Sequence, residues 1–211
     1  NITFVGTGKD TTTILGGFGI ANLENITFKQ MTVTNSNKHD EHDEHDEHDW
    51  EPNDETGINI GTGIYMHNAK VELFDVALTE CENAGLYIEE YGFETRSICV
   101  ASRCEFSHNH YGAAVEGAAV EGISTSATFK NCTICHNYEG IEGSASTIHF
   151  HGESTEIRTN ESLGITAKNC CKVIVHLPSQ HKTIYNNGED QFTETGGTIT
   201  NVGIEAPSKN K

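Results

Sequence analysis

Two groups of histidine and carboxylate in this chain carry the donor atoms of a metal site. Residues 39–49 read His-Asp-Glu-His-Asp-Glu-His-Asp-Glu-His-Asp. In an extended helix of three residues per turn, His39, His42, His45 and His48 form one line flanked by two lines of carboxylate; in an α-helix they drift around the axis. Imidazoles in such a strip can hold Zn²⁺, and carboxylates with carbonyl oxygens can hold Ca²⁺. The composition is equally that of a solvated, tolerant loop in which a charged triplet has expanded. The second group lies in Ser146-Thr-Ile-His-Phe-His-Gly-Glu153. A period of two puts Ile148 and Phe150 on one face of a strand and His149, His151 and Glu153 on the other, two imidazoles and a carboxylate at ligand spacing. Counting back eleven places from Asn160 and from Asn187 puts His149 and His176 in the same phase, so the two are expected to stack. Neither group makes a cofactor obligatory; Ca²⁺ and Zn²⁺ are the ions they would admit.

The seven cysteines fall at 81, 99, 104, 132, 135, 170 and 171. Cys104 and Cys132 each stand five places before an asparagine of the repeat described next. Stacked on neighbouring strands, their Cα atoms would lie within disulfide range, so the pair reads either as one bridge or as part of a column of buried thiols. Cys132 and Cys135 have half the spacing pattern of a zinc knuckle, with no second pair to complete it. Sequons occur at Asn1, Asn25, Asn131 and Asn160.

What positions these residues is a repeat. Asn109, Asn137, Asn160 and Asn187 follow one another at intervals of 28, 23 and 27 residues. Each precedes a glycine (Gly112, Gly140, Gly164, Gly188) and follows, by three places, Phe106, Ile134, Ile157 or Ile184. Between these markers lie short blocks rich in Val, Ile, Phe and Thr, at 2–5, 26–28, 71–74, 98–100, 127–129, 148–150 and 173–177. Such blocks fit strands and leave no window for a helix. Asn and Gly tolerate left-handed backbone angles, so the marker predicts a corner at constant phase. Two or three strands in each repeat of about 25 residues describe an all-β, right-handed parallel β-helix of about seven or eight coils. It is expected to span 1–204, interrupted at 38–56 by the acidic histidine-rich insertion and followed at 205–211 by a tail. Solenoids need capped ends, so the chain is expected to belong to a larger protein or assembly.

At this point the chain resembles the pectin-lyase-like superfamily of right-handed β-helices. The resemblance rests on residues 1–10, on Leu23-Glu-Asn-Ile-Thr-Phe-Lys-Gln-Met-Thr-Val-Thr-Asn35 and on Phe129-Lys-Asn-Cys-Thr-Ile-Cys-His-Asn137. It covers about 1–204 and implies a fold rather than an activity, since members include lyases, hydrolases and epimerases as well as structural and adhesive proteins. The Asn-Thr-Asp, paired-aspartate, Gly-His-Gly and Arg-Ile-Lys pieces of galacturonan hydrolases are missing from the sequence. Tyr91-Gly-Phe-Glu-Thr-Arg96 looks like the Tyr-Gly-Phe-Asp-Pro-His signature of alginate C5-epimerases, with Glu94 for the aspartate, Thr95 for the proline and Arg96 for the histidine. That likeness makes Tyr91, Glu94 and Arg96 the catalytic candidates, although the substitution at Arg96 removes a proton-transfer partner.

Formal charge is −18, with 31 acidic against 13 basic residues. Such a surface repels nucleic acid and anionic lipid, and no apolar run reaches the length of a membrane span. The expected partners are a glycan, a protein, or a second copy joined end to end. The sequence thus points to a non-catalytic module outside the cell or on its surface, with a structural or adhesive role. The rival expectations are a polysaccharide epimerase or lyase and a divalent-cation-binding surface protein.

Overall fold

A computed structural model describes residues 1–37, 61–90, 96–118, 125–176 and 183–203. The insertion, the 91–95 fragment and the tail from 204 onward lie outside the described residues. Twenty strands and no helix make up the described chain. They run β1 (Ile2–Val5), β2 (Thr13–Leu15), β3 (Phe18–Ala21), β4 (Ile26–Thr34), β5 (Ile64–His67), β6 (Lys70–Thr79) and β7 (Ala84–Glu89). Next come β8 (Ile98–Ser102), β9 (Glu105–Ser107), β10 (Tyr111–Glu116), β11 (Ser126–Lys130), β12 (Thr133–Cys135), β13 (Glu139–Ser144) and β14 (Thr147–His151). The last are β15 (Glu156–Arg158), β16 (Leu163–Lys168), β17 (Lys172–His176), β18 (Ile184–Tyr185), β19 (Glu189–Thr193) and β20 (Thr198–Asn201).

Every pairing among them is parallel, and each links strands that are not consecutive in the chain. β3, β5, β7, β10, β13, β16 and β19 form a seven-stranded sheet; the other thirteen strands form the second. That larger sheet has two flanks joined through the long strands β4 and β6. Inside those strands Gln30 (φ 57°) and Asp75 (φ 60°) adopt the left-handed conformation and bend the chain. The arrangement is compatible with a parallel β-helix.

Parallel register places like residues on like. One inward row runs Phe28, Leu73, Ala101, Phe129, Phe150 and Val175. Another runs Leu78, Phe106, Ile134, Ile157 and Ile184. Phe28, Phe106, Phe129 and Phe150 are wholly buried, and the Phe129 and Phe150 rings stack with centroids 5.4 Å apart. Burying each phenyl group stabilises the fold by about 1.5–3 kcal/mol.

The corner is built differently from the sequence expectation. The left-handed residue is not the marker asparagine but the one before it: His108, His136, Thr159 and Asn186, with φ of 58°, 56°, 53° and 57°. The asparagine has turned inward, where it replaces a strand ladder with a ladder of amides. Asn109 Nδ2 donates to Asn137 Oδ1 (3.1 Å), Asn137 Nδ2 to Asn160 Oδ1 (3.0 Å), Asn160 Nδ2 to Asn187 Oδ1 (2.8 Å) and Asn187 Nδ2 to Asp190 Oδ1 (2.9 Å). Each Oδ1 also accepts the main-chain N–H of the preceding member. At the first three corners the glycine three or four places later is required by close approach: a Cβ at Gly112 would stand 2.5 Å from Gly140 O and 3.0 Å from Asn137 Nδ2.

Candidate functional site

Strand β14 alternates as expected, with Ile148 and Phe150 in the core and His149 and His151 outside and half-buried. The third imidazole comes from β17. Its His176 is the register partner of His151, and Ile174 is the partner of His149. This corrects the expectation that His149 and His176 share a phase. From His151 to Ile157 the chain takes six residues, but from His176 to the matching Ile184 it takes eight. The longer β17–β18 connection, residues 177–182 of which lie outside the described residues, shifts the count by two.

The three rings nevertheless converge. His151 and His176 stack face to face with centroids 4.1 Å apart and planes 7° from parallel. His149 reaches diagonally, and its Nδ1 lies 2.9 Å from His176 Nε2, a hydrogen bond in which one ring donates and the other accepts. One nitrogen from each ring can be chosen so that all three lie within 4.8 Å of one another, and among the described residues this is the one group of potential metal ligands so placed. Partial burial, then the neighbouring His176, lowers the pKa of His149 below the usual 6.5; His151 moves the same way, with His149 and Lys130 adding to the repulsion. Both rings are therefore held toward the neutral form that accepts a proton or a cation. Glu153, expected as the carboxylate partner, is exposed beyond the left-handed Gly152 (φ 88°) and outside the group.

A second cluster occupies the outer face of the seven-stranded sheet. Tyr65, Tyr87, Ala114 and Glu142 follow one another in register, and Glu116 pairs with Ser144 beside them. The Tyr65 hydroxyl donates to Glu89 Oε2 at 2.9 Å, and Lys168 Nζ lies 3.0 Å from Glu142 Oε2. Burial pushes the Glu116 carboxyl above 4.5, reinforced by Glu89 and Glu142 and opposed by the Tyr87 hydroxyl. Glu139 is raised by burial and then by Glu142, and its Oε2 is enclosed without a hydrogen-bond partner. Burial and those carboxylates push the Tyr111 phenol up to about 12. This face was missed in the sequence, where the shared phase of Tyr65 after Gly63 and Tyr87 after Gly85 was the available signal.

The remaining candidates separate. His39, His42, His45, His48, Tyr91 and Glu94 lie outside the described residues, and Arg96 is exposed. Next to it the buried carboxylate of Glu90 accepts from Ser97 N–H and Thr125 Oγ1, both at 3.0 Å. Cys104 and Cys132 are buried free thiols, each one place before the register partners Glu105 and Thr133. Asn1, Asn25 and Asn131 are exposed, but Asn160 is 2% exposed and its amide is spent in the ladder, so a glycan there would break the corner.

Comparison with protein-family models, with curated proteins and with solved structures finds no match to this chain. Among the described residues no helix is long and apolar enough to cross a membrane.

Proposed function

We propose that the chain is a right-handed parallel β-helix of seven coils and the first strand of an eighth, akin to the pectin-lyase-like superfamily, serving as a rigid, non-catalytic structural or adhesive module outside the cell or on its surface. The observation that carries this reading is the continuous amide ladder from Asn109 to Asp190, reinforced by parallel register on three sides. Such a ladder spends buried polar groups on holding one repeat against the next, which is what a load-resisting spacer needs. The exposed sequons at Asn1, Asn25 and Asn131 and the charge of −18 support an extracellular setting and a glycan or protein partner. A second copy joined end to end is among the partners this reading admits, because the parallel strands of a solenoid can pair with those of another chain.

A second reading, a carbohydrate-active epimerase or lyase, is favoured by one observation: the seven-stranded sheet brings together one phenol, Tyr111, and two carboxyls, Glu116 and Glu139, of raised pKa. Proton NMR of alginate, pectate and neutral glycans incubated with the protein and Ca²⁺ separates the two. Unchanged spectra support the module. New anomeric or unsaturated signals, lost on Tyr87→Phe or Tyr91→Phe, would replace it with the enzyme. Sedimentation velocity over a range of protein concentrations tests the end-to-end contact.

A further inference from the structure

We propose that His149, His151 and His176 form a three-imidazole site for a first-row divalent ion of the Zn²⁺, Cu²⁺ or Ni²⁺ class. The site is distinct from the histidine-rich insertion and does not depend on the structural role.

The geometry is that of a site a short adjustment from closure. A metal–imidazole bond is about 2.0–2.1 Å, so two nitrogens on one tetrahedral ion stand about 3.3 Å apart. His149 Nδ1 and His176 Nε2 are already 2.9 Å apart, and one nitrogen from each of the three rings can be chosen so that all three lie within 4.8 Å of one another. Rotation of half-buried side chains about χ1 and χ2 covers the difference with no change in the backbone. The scaffold below is rigid: Ile148, Phe150 and Val173, between and beside the ligands, are wholly buried, and β14 is paired to β11 on one side and β17 on the other. Two ligands at i and i+2 on one strand, with a third across the ladder, give a fixed three-point face. The hydrogen bond between His149 and His176 shares one proton between two basic nitrogens. When an ion binds, that proton moves through water to the other nitrogen of the donor ring, so both facing nitrogens present lone pairs to the ion together with the third.

The ligand chemistry decides the class of ion. Three nitrogens with no carboxylate in the group suit the borderline metals that imidazole selects and not Ca²⁺ or Mg²⁺, which take oxygen. Three protein ligands on an outer face leave one position to a water or to a donor group from a partner. The cation acting on His151 is its register partner Lys130, an exposed side chain that can swing away. The overall charge of −18 raises the local concentration of any divalent cation.

The test is Zn²⁺ calorimetry on the full chain and on three variants, with Cu²⁺ electron paramagnetic resonance to count coordinating nitrogens. The variants are His176→Asn, His149→Asn, and one with His39, His42, His45 and His48 all changed to Asn. The full chain and the insertion variant are expected to share a one-ion binding event, with a three-nitrogen Cu²⁺ signal. His176→Asn and His149→Asn are each expected to weaken that event by about tenfold or more, since a lost ligand costs at least as much as a lost supporting group. Circular dichroism establishes that each variant is folded, and the two single variants serve as alternates if one is not. The proposal is overturned if the full chain takes up no Zn²⁺, if uptake vanishes with the insertion histidines alone, or if both single variants bind as the full chain does. None of these outcomes bears on the structural module, whose failure would be read from glycan turnover.

Discussion

Replacing Asn137 by alanine should be among the most damaging single changes in the molecule, although it removes only a short polar side chain. Asn137 is 2% exposed and makes four ladder contacts. Its Nδ2 donates to Phe106 O and Asn160 Oδ1, both at 3.0 Å, and its Oδ1 accepts from Asn109 N at 3.0 Å and Asn109 Nδ2 at 3.1 Å. After truncation Asn160 Oδ1 keeps the main-chain N–H of residue 137, and Asn109 Nδ2 keeps Leu78 O. The Asn109 N–H keeps nothing, whereas the Phe106 carbonyl stays within the β9–β12 ladder, where Cys135 pairs beside it. The orphaned N–H costs about 1–3 kcal/mol and each of the three other lost hydrogen bonds about 0.5–1.5 kcal/mol, so the loss should be about 3–7 kcal/mol, a third or more of a typical domain's stability. At the half-exposed end of the ladder Asn187→Ala should cost less, about 1–2 kcal/mol, because water can reach the freed groups. Urea denaturation followed by far-ultraviolet circular dichroism measures both. Hydrogen exchange should show the Asn109 amide losing protection in the first variant alone. A loss below about 1 kcal/mol for Asn137→Ala, or equal losses at the two positions, would refute the claim that the buried amide ladder holds the repeats together.

Further outcomes follow from the sheet face and the thiols. Glu116 has a folded pKa raised above its unfolded 4.5, so its contribution to stability is fully present below 4.5 and is lost as pH rises through the folded value. Glu116→Gln should therefore raise the melting temperature at pH 7 and lose that advantage below pH 4.5; a pH-independent difference would contradict the assignment of burial as the cause. Of the seven free thiols only Cys170 is exposed, and burial pushes the Cys81 thiol up to about 11. Titration with a thiol reagent should find one fast-reacting group in the native protein and seven after unfolding, and two fewer in the unfolded protein would show the bridge between Cys104 and Cys132 that the structure lacks.

The sequence by itself determined what depends on local alternation and on phase. A period of two sends Ile148 and Phe150 inward and His149 and His151 outward whatever they meet there, and the recurrence of asparagine at 109, 137, 160 and 187 marks equivalent corners because each repeat must stack on the last. Local alternation also separated core from surface in β11 and β17, whose inward residues Ala127, Phe129, Val173 and Val175 are all buried. Tertiary structure alone decided which outward residues become neighbours. His176 meets His151 rather than sharing a row with His149 because a connection two residues longer shifts the count, and connection length is set by what turns and not by what pairs. Tertiary structure also placed Asn160 inside the ladder, 2% exposed, and buried Cys104 and Cys132 side by side as free thiols. It gathered Tyr65, Tyr87, Glu116 and Glu142, which are spread over 78 residues, onto one face through the register of four parallel strands. Periodicity along a chain fixes the side on which a residue falls; proximity across a parallel sheet depends on the summed lengths of every connection between, and those sums are settled only when the strands pair.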